Sequence, residues 1–421
     1  MNATPHTAAI GTLLALTLIG CTPTATPHAP TPQPDAPPTT EPGSHHGDIA
    51  GAEEVSEPPL HLVTIDAHGA VGLFDLLSGS ESSLGTIAPP VTATSDGRYV
   101  FAAREDGFDI IDSAAWTWDH GDHFHYYRGT PALLGTIPGS GLGTTVGGPL
   151  ATAGHSGVFF PSSGEAVLLD NAALAEGRIT ESFRIQVTPH AGLLAPLGDG
   201  AVVTEVDTPA DAENGPNRVR FLTADGTPAT TSAPCPSASG AQVTRVGVVI
   251  GCSDGAVLGT IDAAGEPHFT HIPLPDLSAA PATEFAGRKG RPAVAGLGTD
   301  SGFWLLDTRA QGWKWTASDV PLIRAVAVDD AAGHVVTLDQ DGRVRVFSAG
   351  VERAVTAPLL TAADLTQAAE PAISLTVDAN RAYLGSQELG TVFEIDFADS
   401  ARIARELRPA VGPTLLAETG R

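Results

Sequence analysis

A short β unit that repeats from residue 60 onward constrains the fold of this chain more than any other feature. In each unit two strand-forming runs are joined by an Asp-Gly or similar turn, and in the units at residues 96–112 and 381–396 the second run ends in an Asp. The clearest examples occupy residues 96–112, 246–258, 333–347 and 381–396. Strand-only repeats of about 40 residues with such hairpin turns are typical of β-propellers. The repeat therefore predicts an all-β propeller, and no helical periodicity of any length interrupts it.

The number of units predicts about eight blades. Seven is the alternative, because the units near residues 115–140 and 275–320 are irregular. An array of β-sandwiches also consists of aligned strands, but the even spacing favours the propeller. The first unit, residues 61–84, supplies only the outer strands of a blade, and residues 413–418 form one isolated strand-like run. Pairing of these two segments would close the ring and remove exposed sheet edges.

The first twenty residues predict an export signal. Their apolar run, Ile10 to Ile19, is too short to span a bilayer, which needs about 20 apolar residues, and it fits the apolar part of a signal peptide. The residues where the run ends, Leu18 to Cys21, resemble a bacterial lipobox, in which the signal is cut just before a Cys that becomes lipidated. An ordinary secretory signal with an incidental Cys21 is the alternative.

A Pro- and Thr-rich stretch, residues 21–58, separates this signal from the folded body at residues 59–421. Such a composition cannot pack a core, so we expect an extended tether between membrane and body. His45 and His46 lie near its end, either as a mobile arm that captures metal or as plain linker residues.

The charge of the chain argues against a nucleic-acid partner. The formal net charge is −26, with 48 acidic and 22 basic side chains, whereas nucleic-acid binding needs basic patches. We expect a monomer. The sequence has no His-Glu-x-x-His and no phosphate loop, and we identify no catalytic residues in it.

A histidine-rich run, Asp119–Tyr127, is the strongest candidate site. Three of the fourteen histidines fall within six residues of it, with a carboxylate between them. If the run is extended, His123 and His125 point to one face of a strand. Neutral imidazole is the commonest protein ligand for zinc, so the run predicts a metal site rather than a polar loop with chance histidines. The candidate ligands are His120, Asp122, His123 and His125, and Asp119 is a candidate for orienting a histidine or capturing the ion.

Two further histidines and two cysteines lie elsewhere in the body. His155 and His190 lie beside glycines at predicted strand ends, where neighbouring blades would bring them to the central channel as ligands. The alternative for each is a hydrogen-bonded turn histidine. Cys235 and Cys252 are the only cysteines besides Cys21, and in an exported chain such a pair usually forms a disulfide. Two thiolate metal ligands are the less favoured reading.

The run from Trp116 to Tyr127 resembles the signature of the AztD-type zinc metallochaperones. The similarity continues through His155, through residues 189–192, through Cys235-Pro236 and residues 251–255, and to the end of the chain at residues 418–421. One departure is that the family tends to carry His-Gly-Glu after Cys-Pro, where this chain has Ser239-Gly240-Ala241. A metal ligand of the family, or a group that orients one, is therefore missing here.

This resemblance implies an exported propeller that binds Zn²⁺ and passes it to the solute-binding protein of a zinc ABC transporter. On this reading the chain is not an enzyme. It would be attached to the membrane, at the cell surface or in the periplasm, through the lipid on Cys21. The alternatives are a surface interaction scaffold without metal transfer, and a metal-dependent hydrolase or lactonase.

Overall fold

The computed structural model describes residue 49 and residues 51–119, 123–275, 280–282, 284–298, 301–366 and 373–421. The described residues form eight four-stranded antiparallel sheets and one three-stranded sheet. The prediction of an all-β propeller is confirmed, and the eight four-stranded sheets are its blades. The only α-helices among the described residues are two short ones, α1 (Asn171–Ala175) and α2 (Ala362–Thr366), and Pro209–Asn214 forms a 3₁₀ helix. Neither helix has the length and apolar character needed to cross a membrane.

Most strands follow one another within the blades in chain order. Four do not: three of them form the separate three-stranded sheet, and the last described strand joins blade 1. Strand β1 (Glu53–Val55) precedes the blades. From the channel outward, blade 1 contains β35 (Leu415–Thr419), β2 (His61–Ile65), β3 (Ala70–Asp75) and β4 (Glu81–Thr86), and blade 2 contains β5 (Thr92–Ser95), β6 (Tyr99–Arg104), β7 (Gly107–Asp112) and β10 (Ala132–Pro138). Blade 3 contains β11 (Thr144–Gly147), β12 (His155–Phe160), β13 (Glu165–Asp170) and β14 (Glu181–Gln186). Blade 4 contains β15 (Leu194–Leu197), β16 (Gly200–Glu205), β17 (Arg218–Leu222) and β18 (Pro228–Pro234). Two strands, β8 (Ala115–Asp119) and β9 (Phe124–Arg128), form a hairpin between the third and fourth strands of blade 2.

Blades 5 to 8 each use four consecutive strands. They contain, in order, β19 (Ser239–Val243), β20 (Val248–Cys252), β21 (Gly255–Ile261) and β22 (Pro267–Pro273); β23 (Glu284–Ala286), β24 (Ala293–Leu297), β25 (Gly302–Asp307) and β26 (Gly312–Ala317); β27 (Leu322–Ala327), β28 (His334–Asp339), β29 (Val344–Ser348) and β30 (Val351–Val355); β31 (Leu375–Val377), β32 (Ala382–Ser386), β33 (Thr391–Asp396) and β34 (Arg402–Leu407).

An Asp at the end of the third strand explains much of the local fold of a blade. Asp75 ends β3, and one of its carboxylate oxygens accepts hydrogen bonds from the backbone N–H groups of Leu77 and Ser78, at 2.8 and 3.0 Å. Asp307 makes the same kind of turn after β25, and Asp170 caps the N-terminus of α1 after β13. An Asp side chain stabilises such a turn because it replaces a backbone acceptor.

Blade 1 is made from both ends of the folded body. Strand β35 pairs antiparallel with β2, with Val63 opposite Ala417, and it takes the innermost position of the blade. Buried apolar side chains pack between each pair of consecutive blades, and Leu62 and Leu416 of blade 1 share such a cluster with Tyr383 and Val392 of blade 8. The core is therefore a series of inter-blade layers around a central channel, in which apolar burial supplies the main stabilisation.

Candidate functional site

The histidine-rich run forms the β8–β9 hairpin, with Trp118 opposite His125. Strand β1 adds to the free edge of β9, with Glu54 opposite Tyr127, and completes the three-stranded sheet. This strand belongs to residues 21–58, which composition assigned to the tether, so the ordered body includes part of that stretch. The hairpin contacts the channel end of the propeller, because the hydroxyl of Thr117 donates a hydrogen bond to the carbonyl oxygen of Gly420 at 2.9 Å.

A buried ion pair anchors the base of the hairpin. The guanidinium group of Arg98 donates two hydrogen bonds of 2.8 Å to the two carboxylate oxygens of Asp112, and both residues are buried. The same guanidinium lies over the ring of Trp116, 4.1 Å from its centroid, and Trp116 stacks on Tyr127. Such bidentate and cation–π contacts fix a planar guanidinium in one orientation, so the hairpin rests on a rigid support.

The two described histidines of the hairpin face one another through the same ring atom. The Nε2 atoms of His123 and His125 lie 2.9 Å apart. In the metal-free protein one of these nitrogens must donate to the other. Two nitrogens that bind one tetrahedral zinc ion lie about 3.3 Å apart, since each zinc–nitrogen bond is about 2.0–2.1 Å long. A small increase in the distance between the two rings would therefore allow both nitrogens to bind one zinc ion.

Glu54 orients one of these rings. Its Oε1 atom lies 2.7 Å from Nδ1 of His125. A carboxylate only accepts hydrogen bonds, so Nδ1 carries the proton and the lone pair of Nε2 faces His123. A carboxylate behind a histidine in this way fixes the tautomer that binds metal and makes the ring more basic. No sequence pattern indicates this role, because Glu54 lies in the stretch predicted as tether.

The exposure of the two histidines differs. His125 is buried, with 8% of its surface exposed, whereas His123 is exposed and the neighbouring Phe124 is 54% exposed. One side of this pair therefore opens to solvent and the other is held in the sheet.

Several predicted site residues lie outside the described part of the chain. They are His120, Asp122, His45, His46 and the lipidation residue Cys21, together with the predicted signal peptide and most of the tether. Asp119 ends β8, and its carboxylate lies 3.6 Å from the guanidinium of Arg245. Among the described residues, no three His, Cys, Asp or Glu side chains are arranged to hold a metal ion.

The structure does not bring His190 together with the hairpin histidines. The ring of His190 is buried, its Nδ1 lies 2.7 Å from the carbonyl oxygen of Thr188, and its Nε2 lies 3.0 Å from the hydroxyl of Thr204. Because a carbonyl only accepts, Nδ1 is protonated and Nε2 accepts from Thr204. Burial lowers the pKa of His190, so the neutral ring is favoured. Both nitrogens are used within the fold, which is the arrangement of the hydrogen-bonded turn histidine.

His155 begins β12, opposite Asp170. Its Nδ1 atom is buried and has no hydrogen-bond partner in the part of the chain that the structure describes. Burial lowers the pKa of His155, against the opposing effect of the Asp170 and Asp199 carboxylates. Among the described side chains, His155 belongs to no cluster of three or more His, Cys, Asp or Glu residues that could hold a metal ion.

Cys235 and Cys252 form a disulfide, with their sulfur atoms 2.01 Å apart. The bond joins the segment after β18 to the end of β20, so in this structure neither sulfur is a thiolate ligand. Ser239 and Ala241, where the chain departs from the family pattern, lie on β19, the first strand of blade 5.

Comparison with known proteins relates the chain to others by fold. No protein-family model matches it. A solved structure of apo AztD from Citrobacter koseri is similar at a TM-score of 0.72 and 20% sequence identity, over 86% of this chain and 97% of that protein. A crystal structure of AztD from the same organism matches over the same shares, with a TM-score of 0.71 and 21% identity. The resemblance to AztD-type proteins predicted from the sequence is thus confirmed at the level of the fold.

Proposed function

We propose that this protein is an extracytoplasmic zinc chaperone, which binds zinc at the β8–β9 hairpin and delivers it to the solute-binding protein of a zinc ABC transporter. Zinc is the cargo here, and the protein is not an enzyme. The observation that carries the proposal is the pair of Nε2 atoms that face each other on His123 and His125. The fold shared with AztD supports it, although a fold alone does not establish a function.

The chemistry of the pair suits zinc. Imidazole nitrogen is a preferred ligand of this ion, and a hard ion such as calcium would require an oxygen-rich site instead. We assign the remaining ligands to His120 and Asp122, which connect Asp119 to His123 in the sequence. Three or four ligands of this kind make up a typical zinc site.

The difference in exposure between the two histidines suits transfer. The exposed His123 is the ligand that a partner's side chain can replace first, while the buried His125 keeps its orientation through Glu54. Stepwise ligand exchange of this kind lets zinc leave without passing through water as a free ion. We also propose that the protein is a monomer held at the membrane by a lipid on Cys21. Fractionation of a Cys21→Ser variant tests the anchor, since a variant that stays with the membrane would contradict it.

Removal of the histidine pair is expected to abolish zinc binding. In calorimetric titration of the purified protein, the His123→Ala/His125→Ala variant should bind zinc roughly a hundredfold or more weakly than the parent, because two of its ligands are gone. The matched control is His268→Ala/His271→Ala, which removes two exposed histidines from β22. Equal zinc affinity in the parent and both variants would contradict the assignment, and so would a parent that does not bind zinc.

Removal of the orienting carboxylate is expected to weaken the site without abolishing it. The Glu54→Gln variant should lose about 10–100-fold in zinc affinity, which is the usual effect of removing a group that holds a metal-binding histidine. Glu53→Gln, the adjacent substitution on β1, is the control. If both variants bind zinc like the parent, Glu54 has no part in the site.

Transfer and catalysis are tested separately. Zinc-loaded protein is mixed with the solute-binding protein of a zinc transporter, and the metal content of each is measured after separation. Zinc that reaches the acceptor faster than it is released into a chelator supports direct delivery, whereas equal rates contradict it. A screen with esters and lactones tests the hydrolase alternative, and turnover that disappears in the His123→Ala/His125→Ala variant would replace the chaperone proposal.

A further inference from the structure

A cavity in the central channel contains a cation that has no partner among the described residues. The cavity has a volume of about 400 Å³ and is lined by the first strands of several blades. Its charged lining side chains include Asp96, Lys289, Glu418 and Arg421. It is separate from the hairpin imidazoles. Volumes of this size are typical of sites for small molecules.

Lys289 is unusual in this chain. It is one of only two lysines, in a protein whose net charge is −26. Among the described residues, its ammonium group has no hydrogen bond or ion pair, whereas the other lysine, Lys314, donates to the carbonyl oxygen of Ala349 at 2.7 Å. Burial depresses the pKa of Lys289, and the nearby Arg421 and Arg98 act in the same direction against Asp96. Lys289 is partly buried, and an ammonium group partly withdrawn from water is stabilised by an anion that compensates it.

Each nearby carboxylate has one oxygen in contact with another group, whereas its second oxygen, Oδ2 of Asp96 or Oε1 of Glu418, is buried without a hydrogen bond among the described residues. Oδ1 of Asp96 accepts the backbone N–H groups of Arg98 and Tyr99, at 2.9 and 2.8 Å. Glu418 lies 3.2 Å from the guanidinium of Arg421. Burial raises the pKa of Glu418 to about 7, so this carboxyl carries only part of a negative charge at neutral pH. Neither group compensates Lys289 by direct contact.

Further cations add to the positive charge. The guanidinium of Arg421 is held by the carbonyl oxygen of Val377 and the hydroxyl of Thr376. Burial depresses the pKa of Arg288, and the neighbouring Arg291 and Arg421 add to the effect. Arg324 also lines the cavity, where Glu284 lies 3.7 Å from it.

The backbone makes room for the lysine side chain. Gly97 has a φ of +98°, and a Cβ atom there would lie 3.0 Å from Cδ of Lys289 and 2.7 Å from the carbonyl oxygen of Arg421. The positive φ and the close contact both favour glycine at this position. The loop of blade 2 and the side chains of Lys289 and Arg421 are therefore packed together as one structure.

From this cavity and its uncompensated cation, we propose that the central channel binds a small oxyanion, a carboxylate or a phosphate, with Lys289 as the residue that pairs with it. A bound anion would give the ammonium group the partner that the described part of the protein does not provide. The acidic surface of the rest of the molecule would leave this cavity as the favoured place for such an ion.

The test uses inorganic phosphate, acetate, glutamate and citrate in zinc-free buffer, so that its outcome does not depend on the proposed zinc function. Binding is measured by calorimetry and thermal shift, with sodium chloride at equal ionic strength as the reference. At least one oxyanion should bind the parent and the Lys314→Gln variant saturably, and Lys289→Gln should weaken that binding about tenfold or more. The selectivity between phosphate and the carboxylates identifies the source of the oxyanion.

A second measurement does not depend on the folding of a variant. The parent protein is treated with an amine-reactive label, and the two lysines are followed by mass spectrometry. A bound oxyanion should slow the labelling of Lys289 and leave that of Lys314 unchanged. The proposal is overturned if no oxyanion binds saturably below about 10 mM, if Lys289→Gln binds like the parent, or if both lysines are labelled at unchanged rates.

Discussion

Replacement of Arg98 by methionine is expected to lower the free energy of unfolding by about 3–5 kcal/mol, the usual effect of removing one partner of a buried ion pair. The carboxylate of Asp112 would then remain buried without the two hydrogen bonds that it accepts from Arg98. Trp116, on the hairpin, would also lose the guanidinium that lies over its ring. Urea denaturation at neutral pH measures the loss as a shift of the unfolding midpoint.

Two further variants show whether this effect arises from the buried charge. Arg178→Met removes an arginine whose pairing with Glu176 is exposed, and it should change the stability by less than about 0.5 kcal/mol. Adding Asp112→Asn to Arg98→Met removes the unpaired charge, so the double variant should recover part of the lost stability. A loss below about 1 kcal/mol in Arg98→Met would show that Asp112 is well solvated without its partner.

Replacement of Glu418 by glutamine is expected to stabilise the protein by about 3 kcal/mol at pH 8. Glu418 is 1% exposed, and burial raises its pKa from the ordinary value of 4.5 to about 7. The folded state therefore holds this proton more tightly than the unfolded chain does. The resulting stabilisation is fully present below pH 4.5 and is lost as the pH rises through 7. Glutamine resembles the protonated form at every pH, so its advantage should be largest at pH 8 and nearly absent at pH 4.5.

The pH series separates this effect from the ion pair between Glu418 and Arg421. Unfolding of the parent and of Glu418→Gln is measured at pH 4.5, 6 and 8, with Glu406→Gln, an exposed position on β34, as control. The control should follow the parent at every pH. If Glu418→Gln is instead less stable than the parent at pH 8, the attraction of Arg421 outweighs the cost of burying the charge.

The fold was predictable because its signals are local and repeated. The Asp at the end of a third strand and the turn that follows it are neighbours in sequence, and the structure shows the hydrogen bonds that join them at Asp75 and Asp307. The blade count followed from counting such units. Composition did not reveal β1, because its pairing with β9 depends on a partner far along the chain.

The candidate site was predictable only in part, for a similar reason. His123 and His125 are two residues apart, so an extended run places them on one side, and their Nε2 atoms do meet. Glu54 had no such signal, since it reaches His125 only through the register of β1 against β9. The sequence around His190 shows a turn but not that Thr188 and Thr204 use both nitrogens of the ring. The cation in the channel was also missed, because the basic run Arg288-Lys289-Gly290-Arg291 has the sequence of an ordinary charged surface turn.

The pairing of β2 with β35 has a consequence for the biogenesis of the protein. When β2 is made it has no inner neighbour, because β35, the strand that pairs with it, is made only after the strands of all the other blades. An unpaired strand edge is a template for association with other chains, and contacts between distant residues form slowly. We therefore expect the nascent protein to depend on chaperones that keep this edge covered until β35 is made. We also expect substitutions in β35 to reduce yield through aggregation before they affect the finished propeller.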